Sequence, residues 1–137
     1  MATNTTGHRH MKKRSILSIC SIASLFVMAS AASAEDIENG RRVFRLCVAC
    51  HTVDSDRNGF GPHLKGVFGR AAGSLPDYRY SEAMKTAGAG GLVWDEATLS
   101  EFLSSPKKKV PGTKMSFGGL WTTSEISDLI GYLRANP

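Results

Sequence analysis

The chain has 137 residues, and its 17 Lys and Arg against 12 Asp and Glu give a formal net charge of +5. This length has room for one domain. Four basic residues and no acidic ones precede residue 35, so residues 35–137 carry 13 basic and 12 acidic residues, and the resulting +1 gives no support to nucleic-acid binding.

The N-terminal segment has the order of features that is typical of an export signal. A basic cluster at residues 12–14 precedes an apolar run over about residues 15–29, and the small residues Ala32-Ser33-Ala34 follow. This pattern predicts a signal peptide over residues 1–34, cleaved after Ala34, and a periplasmic domain over residues 35–137. A helix of fifteen residues reaches roughly 22 Å, short of a hydrocarbon core of about 30 Å. A membrane anchor is the alternative if cleavage does not occur, and either Met1 or Met11 could be the first residue.

Three segments of the mature chain have helical periodicity, and none has the two-residue alternation of a strand. The first begins at the N-cap Asp36 and places small and apolar residues at helical spacing: Ile37, Gly40, Val43, Phe44 and Cys47. The second covers about Asp95–Ser104, with Pro106 as a stop. The third opens with the capping-box pattern of Thr122 and Glu125 and continues with a periodic apolar face: Ile126, Leu129, Ile130 and Leu133. These patterns predict an all-α domain with three main helices.

Residues 52–94 form a long connection that glycines and prolines interrupt repeatedly. A compact domain rarely contains so much irregular chain without an organising element. A bound prosthetic group of large apolar area would supply core that three short helices lack.

The stretch CVACHTV at residues 47–53 contains two cysteines and a histidine at i, i+3 and i+4. A zinc site needs four ligands, and His63 is the only other mature histidine. A redox dithiol would sit in a strand-and-helix unit, which this sequence lacks. The spacing C-x-x-C-H is the pattern of covalent haem c attachment, and one helical turn projects all three side chains from the same face. We therefore predict one haem c bound through Cys47 and Cys50, with His51 on the iron.

The other side of the iron could take a methionine, the second histidine or nothing. Met115 lies in the polar, Pro- and Gly-constrained stretch VPGTKMSFGG, at residues 110–119, whereas core methionines usually lie on helix faces. A thioether suits iron(II), and a His/Met pair raises the reduction potential. We predict Met115 as the second axial ligand; Met84 is a weaker candidate.

Several motifs occur in an order that resembles the class I c-type cytochromes, of the mitochondrial cytochrome c and bacterial cytochrome c2 type. They are GRRVFRLCVACHTV, GPHLKGVFGR, PKKKVPGTKMSFGG and SDLIGYLR, at residues 40–53, 61–70, 106–119 and 127–134. The resemblance covers nearly all of residues 36–133. It implies a cytochrome c fold, with long loops wrapped around one covalently bound haem.

The resemblance also implies roles for further residues. The carbonyl of Pro62 would orient His51, and Phe117 would cover the haem edge. Four side chains would surround a haem propionate: Arg70, Tyr80, Trp94 and Thr113. The family commonly has Tyr where this chain has Phe102 and Asn where it has Met84, so the resemblance does not extend to those two polar groups.

An iron with both axial positions filled has no open site for a substrate, so the expected function is one-electron transfer and not catalysis. Four lysines cluster around the Met115 loop and predict transient docking of a monomer to acidic redox proteins: Lys107, Lys108, Lys109 and Lys114. Candidate partners are an oxidase, a bc1-type complex, a reaction centre or a dehydrogenase. The alternatives are a haem subunit dedicated to one periplasmic dehydrogenase, and a peroxidase or gas-binding haem protein with a labile methionine.

Overall fold

Within residues 35–137, five helices form the regular structure: α1 (Ile37–Phe44), α2 (Glu82–Ala89), α3 (Glu96–Ser104), α4 (Pro106–Lys109) and α5 (Thr123–Arg134). The computed structural model describes residues 1–5 and 35–137. The basic cluster, the apolar run and the Ala34 cleavage site lie outside these residues. Within them there is no strand, only an isolated bridge between Ala71 and Val93. The all-α prediction is confirmed, and none of the described helices is long and apolar enough to cross a membrane.

The three predicted helices correspond to α1, α3 and α5, and each begins at a side-chain cap. The Asp36 carboxylate accepts a hydrogen bond from the Asn39 N–H at 2.9 Å. Asp95 and Thr98 form a reciprocal capping box at the start of α3. Thr122 accepts from a backbone N–H of the first turn of α5 at 3.3 Å. These caps satisfy N–H groups that have no partner inside their helix.

Helices α2 and α4 were not predicted, and the expectation of an irregular segment over residues 52–94 is wrong where α2 lies. The Ser81 hydroxyl caps α2 by accepting from the Met84 N–H at 3.1 Å. Gly88 lies inside α2 because a Cβ there would overlap the carbonyl oxygen of Ala72. Pro106 ends α3 as predicted, but it also occupies the first turn of α4, where its missing N–H has no cost.

Helix α1 packs on α5, and their backbones come into close contact at Gly40. A Cβ at this position would overlap the Asp128 carbonyl oxygen and lie 2.8 Å from Tyr132 Cβ. Polar contacts reinforce the crossing, since the Asp128 carboxylate accepts from the Asn39 amide at 2.7 Å and from the Asp36 N–H at 2.8 Å. The crossing brings the two ends of the domain together.

Candidate haem-binding site

The described residues surround a cavity of about 440 Å³, to which α1, α2, α3, α5 and the connecting loops all contribute. Its volume lies within the roughly 300–1,000 Å³ of small-molecule sites. Every side chain that the sequence assigned to the iron or the haem lines this cavity: Cys47, Cys50, His51, Pro62, Arg70, Tyr80, Trp94, Thr113, Met115 and Phe117. Of the four docking lysines, Lys114 lines the cavity and the other three do not. His63 is also absent from its wall.

The two cysteines and His51 lie on a helical turn that follows the end of α1. The N–H groups of Cys50 and His51 both donate to the Cys47 carbonyl, at 3.0 and 2.9 Å. The helix therefore ends at Phe44, three residues earlier than the periodicity indicated, yet the local winding continues through the motif. This winding explains why residues at i, i+3 and i+4 face one cavity.

Burial raises the pKa of the Cys47 thiol to about 11, and the charge of a neighbouring Cys50 thiolate acts in the same direction. A redox dithiol needs a thiolate near neutral pH and therefore a lowered pKa. Both thiols are free and line the cavity. The surroundings of Cys47 therefore do not favour the thiolate that disulfide exchange requires.

The ring of His51 is held by a backbone carbonyl. Its Nδ1 lies 2.6 Å from the Pro62 carbonyl oxygen. A carbonyl can only accept, so Nδ1 carries the proton and the lone pair of Nε2 is left for a metal. Burial lowers the pKa of His51, and the bond to Pro62 opposes this only in part. The structure thus favours the neutral imidazole that iron ligation requires.

Gly61 gives the imidazole its space, and the sequence reasoning missed this role. A Cβ at Gly61 would overlap His51 Cε1 and lie 2.7 and 2.8 Å from its two ring nitrogens. The Gly61 N–H donates to the Cys50 carbonyl at 2.9 Å, which fixes this loop against the cysteine turn. The Gly-Pro pair is visible in the sequence, but its contact with the ring depends on tertiary structure.

Met115 reaches the cavity from a loop whose path is fixed on both sides. Val110 is 2% exposed, and Gly112 has a φ of 91°, which favours glycine. The Thr113 N–H donates to the Val110 carbonyl at 3.0 Å, and the Met115 N–H donates to the Thr113 hydroxyl at 3.3 Å. The Pro- and Gly-containing sequence therefore forms a turn that directs Met115 toward the same cavity as His51.

Arg70 contributes a half-buried cation to the cavity wall. It donates to the carbonyls of His63 at 2.9 Å and Lys65 at 3.1 Å, which leaves other donors of its guanidinium free. Burial lowers the pKa of Arg70 and raises that of Tyr80, while each group partly opposes the shift of the other. Among the residues that the structure describes, no carboxylate pairs with Arg70. A carboxylate of a bound group would compensate this charge.

The inner wall of the cavity is apolar. Trp94 is buried and packs against Phe102 with ring centroids 4.9 Å apart. Met84, also buried, lines the same wall. Phe102 and Met84 were noted in the sequence as replacements of polar residues, and both lie on this wall. A large apolar prosthetic group fits such a surface.

The sequence reasoning missed several other residues of the wall. The Tyr78 hydroxyl donates to the Phe60 carbonyl at 2.7 Å, and its ring meets Tyr80 edge-on at 4.8 Å. Periodicity gave no signal for these loop residues, because they are brought to the cavity by turns and not by a helix face.

A model of the cytochrome c family matches residues 37–137. The chain belongs to the cytochrome c family. It is 48% identical over 99 residues to a cytochrome c2 of Agrobacterium tumefaciens, an alignment that covers 72% of this chain and 89% of that protein. It is 46% identical over 101 residues to a cytochrome c of Gibberella zeae, which covers 72% of this chain and 92% of the relative.

The solved structure of cytochrome cH from Methylobacterium extorquens resembles this cytochrome with a TM-score of 0.67 at 44% sequence identity. The match covers 73% of this chain and 98% of that structure. The cytochrome c fold predicted from the sequence is therefore confirmed. As a member of this family the protein carries one covalent haem c, and Cys47 and Cys50 fit the attachment motif. It is a cytochrome c2-type electron carrier and not an enzyme.

Proposed function

We propose that this cytochrome is a periplasmic one-electron carrier with His51 and Met115 as axial ligands, moving electrons between respiratory or photosynthetic partners. The observation that carries the proposal is the geometry at His51. The Pro62 carbonyl holds Nδ1 at 2.6 Å, so the other ring nitrogen is left for a metal on the cavity that Met115 also lines. When bound, the haem supplies a reversible one-electron change at its iron.

The residues of the chain perform three tasks around that group. The hydrogen bond to Pro62 fixes the ring orientation of His51 and increases its basicity as a ligand. The thioether of Met115 would favour iron(II), and the buried wall around Trp94 would exclude water, so both would raise the reduction potential. With His51 and Met115 both holding the iron, no position would be left on it for a substrate, and the group would supply electron transfer alone.

Three polar side chains of the cavity lining suit the propionates of a haem. They are Arg70, Tyr80 and Thr113. Arg70 has no carboxylate partner among the described residues, so binding a propionate would remove an uncompensated, half-buried charge.

Substitution of the two methionines of the cavity tests the axial ligation. The oxidised wild-type protein should show the far-red absorption band of iron–thioether ligation. We expect Met115→Leu to lose this band, to bind CO readily in the reduced state and to have a lower reduction potential. Met84→Leu is the matched control, because Met84 lines the same cavity and leucine keeps its volume. Loss of the band in Met84→Leu but not in Met115→Leu would contradict the assignment.

We further propose that the mature protein begins at Glu35. The Arg134 guanidinium donates to both oxygens of the Glu35 carboxylate at 3.1 Å, and a Cβ at Gly131 would lie 2.6 Å from one of these oxygens. The residue that follows the predicted cleavage site is thus packed against the last helix, which supports its being part of the mature domain. The mass of the protein purified from the periplasm should equal that of residues 35–137 plus haem. A mass that includes residues 11–34 would indicate a retained leader.

The proposed docking surface consists of Lys107, Lys108, Lys109 and Lys114. Lys107 and Lys108 are exposed on α4, and Lys114 is exposed next to Met115. Lys109 is less exposed and forms an ion pair with Glu101. Among the described residues, the other three lysines have no ion-pair partner. These three are therefore available to acidic groups of a redox partner.

A further inference from the structure

Trp121 is the most exposed aromatic side chain of the described residues, with 97% of its surface accessible. Phe60 is also exposed, at 89%, but it lines the haem cavity, where the haem accounts for an apolar side chain. Trp121 does not line the cavity. The proposed carrier function therefore leaves this indole without a role, although its solvation has a substantial free-energy cost.

The backbone on both sides of Trp121 is fixed. Leu120 is 8% exposed, and its N–H donates to the Leu103 carbonyl at 2.9 Å. Thr122 is the N-cap of α5 and accepts from the Glu125 N–H at 3.3 Å. The indole thus extends from a rigid point and not from a flexible loop. Because the backbone is already fixed, a partner that covers the indole has only its side-chain rotamer to order.

The same contacts place Trp121 near the docking surface. Its neighbour Leu120 pairs with Leu103. Lys107 and Lys108 follow Leu103 by four and five residues, so their Cα atoms lie at most roughly 17 Å from that of Leu103 and at most roughly 27 Å from that of Trp121. A standard interface of about 800 Å² per partner is on the order of 30 Å across. Trp121 follows Met115 by six residues in the segment between α4 and α5. One docked partner can therefore cover the indole and the lysines together.

We propose that Trp121 is the apolar anchor of the docking surface and inserts into an apolar patch, ringed by acidic groups, on a redox partner. This inference rests on the proposed carrier function. Tryptophan is enriched among the few residues that dominate interface affinity. The lysines steer the encounter over long range, while the indole supplies a contact that salt does not screen.

The charges on this face favour an acidic redox protein over a second copy of the chain. A symmetric dimer through Trp121 would bring Lys107, Lys108 and Lys114 toward the same lysines of the other molecule. A lipid surface is disfavoured because Trp121 is followed by the exposed polar residues Thr122 and Thr123, not by an apolar helix face.

Steady-state oxidation of the reduced holoprotein by respiratory membranes of the source organism tests the anchor. We expect Trp121→Ala to raise the KM about tenfold at both low and high salt, with kcat, visible spectrum and potential unchanged. Lys108→Glu should raise the KM at low salt, and the effect should fade at high salt. Ile37→Ala removes another exposed apolar side chain, at the start of α1, and should leave the KM unchanged.

The outcomes separate the anchor from the carrier function. An unchanged KM in Trp121→Ala, with Lys108→Glu still impaired, overturns the anchor and leaves the carrier function standing. Failure of the wild-type holoprotein to be oxidised by the membranes counts against the carrier function and the anchor with it. A wild-type dimer that Trp121→Ala converts to monomers would overturn the anchor in favour of self-association. The wild-type protein can also be tested for binding to protein-free liposomes of the same lipids. If Trp121→Ala weakens that binding about as much as it raises the KM, the anchor is overturned in favour of a lipid surface.

Discussion

His51 depends on two adjacent residues that act in different ways. The Pro62 carbonyl orients the ring, and Gly61 has no side chain that would overlap it. The first contact is an attraction that fixes the proton on Nδ1, and the second is a steric requirement that sets how closely the loop can approach. Both act on a histidine that burial keeps neutral.

The lowered pKa of His51 predicts a stability change in a defined pH window. Between the ordinary value of about 6.5 and the lower value in the folded protein, the unfolded chain binds a proton that the folded one does not. The contribution of His51 to the free energy of unfolding should therefore be constant above about pH 7.5. It should fall as the pH drops below 6.5, by at most about 1.4 kcal/mol per pH unit. Urea unfolding of the holoprotein between pH 5 and 8 measures this slope, to which the proposed iron bond contributes in the same direction, because a ligated ring nitrogen cannot take a proton.

His63→Gln provides the control for this titration, because residues 35–137 contain only two histidines. The slope should persist in the variant. Its disappearance would assign the proton to His63. The Asp95 and Asp128 carboxylates, whose pKa values are lowered by hydrogen bonds, contribute chiefly below about pH 5 and so lie outside the window.

At the scale of residues, the sequence predicted the side chains that can bind a haem or its iron. Cys47, Cys50, His51 and Met115 are recognisable from type and spacing, and the structure places all four on one cavity. Their roles toward the iron stay predictions. Gly61 and Tyr78 could not be found in the same way, because their contacts join loops that are distant in space until the chain folds.

At the scale of elements, the α1–α5 crossing depends on the absence of a side chain at Gly40. A Cβ there would overlap the Asp128 carbonyl oxygen, which belongs to helical backbone and cannot move aside easily. We expect Gly40→Ala to destabilise the holoprotein by about 2 kcal/mol, because overpacking outweighs the gain in helix propensity. For a domain of this size the melting temperature should fall by roughly 8–16 °C.

Gly118→Ala is the matched control for the crossing. An added Cβ at Gly118 meets nothing within 4 Å, so its thermal melting should stay within about 2 °C of wild type. Equal melting of Gly40→Ala and wild type would show that the helices can separate locally without cost.

Capping residues and apolar periodicity were sufficient to predict α1, α3 and α5. Helix α2 was missed because its glycines indicated irregular chain, whereas Gly88 is required by the close approach of Ala72. Helix α4 was missed because Pro106 stops one helix and starts the next. In both cases a glycine or proline is compatible with two local structures, and the prediction considered only one of them.

At the scale of the whole molecule, the positive charge of the docking surface is concentrated in one region. Residues 35–137 carry a net charge of only +1, while Lys107, Lys108 and Lys114 lie on one loop and helix without ion-pair partners among the described residues. A compact basic patch on a nearly neutral protein makes the electrostatic potential positive on one side of the molecule. Long-range steering then favours encounters at the face that contains Met115.

Replacing the basic patch should slow electron transfer more than an equal charge change elsewhere. We expect Lys107→Glu with Lys108→Glu and Lys109→Glu to lower the bimolecular rate with an acidic partner about tenfold at low salt. The salt dependence of the remaining rate should become flat. Stopped-flow mixing with a purified cytochrome c oxidase over a range of ionic strength measures both effects.

The matched control for the patch reverses three charges on α1 and the turn that follows it: Arg41→Glu, Arg42→Glu and Arg45→Glu. It changes the net charge equally, but on a different element. Equal slowing by the two triple variants would mean that net charge acts and that the patch has no special position.

The α1–α5 crossing also requires the two ends of the domain to meet before the core can form. The contact between Asn39 and Asp128 joins residues 89 apart in sequence, and that between Glu35 and Arg134 joins residues 99 apart. Closing a loop of this size costs about 4 kcal/mol of chain entropy. Contacts of such separation form slowly in general, because their enthalpy is released only after the ends have met. A covalent group attached at Cys47 and Cys50, directly after α1, would offer the returning α5 an apolar surface and so guide the last helix to the first.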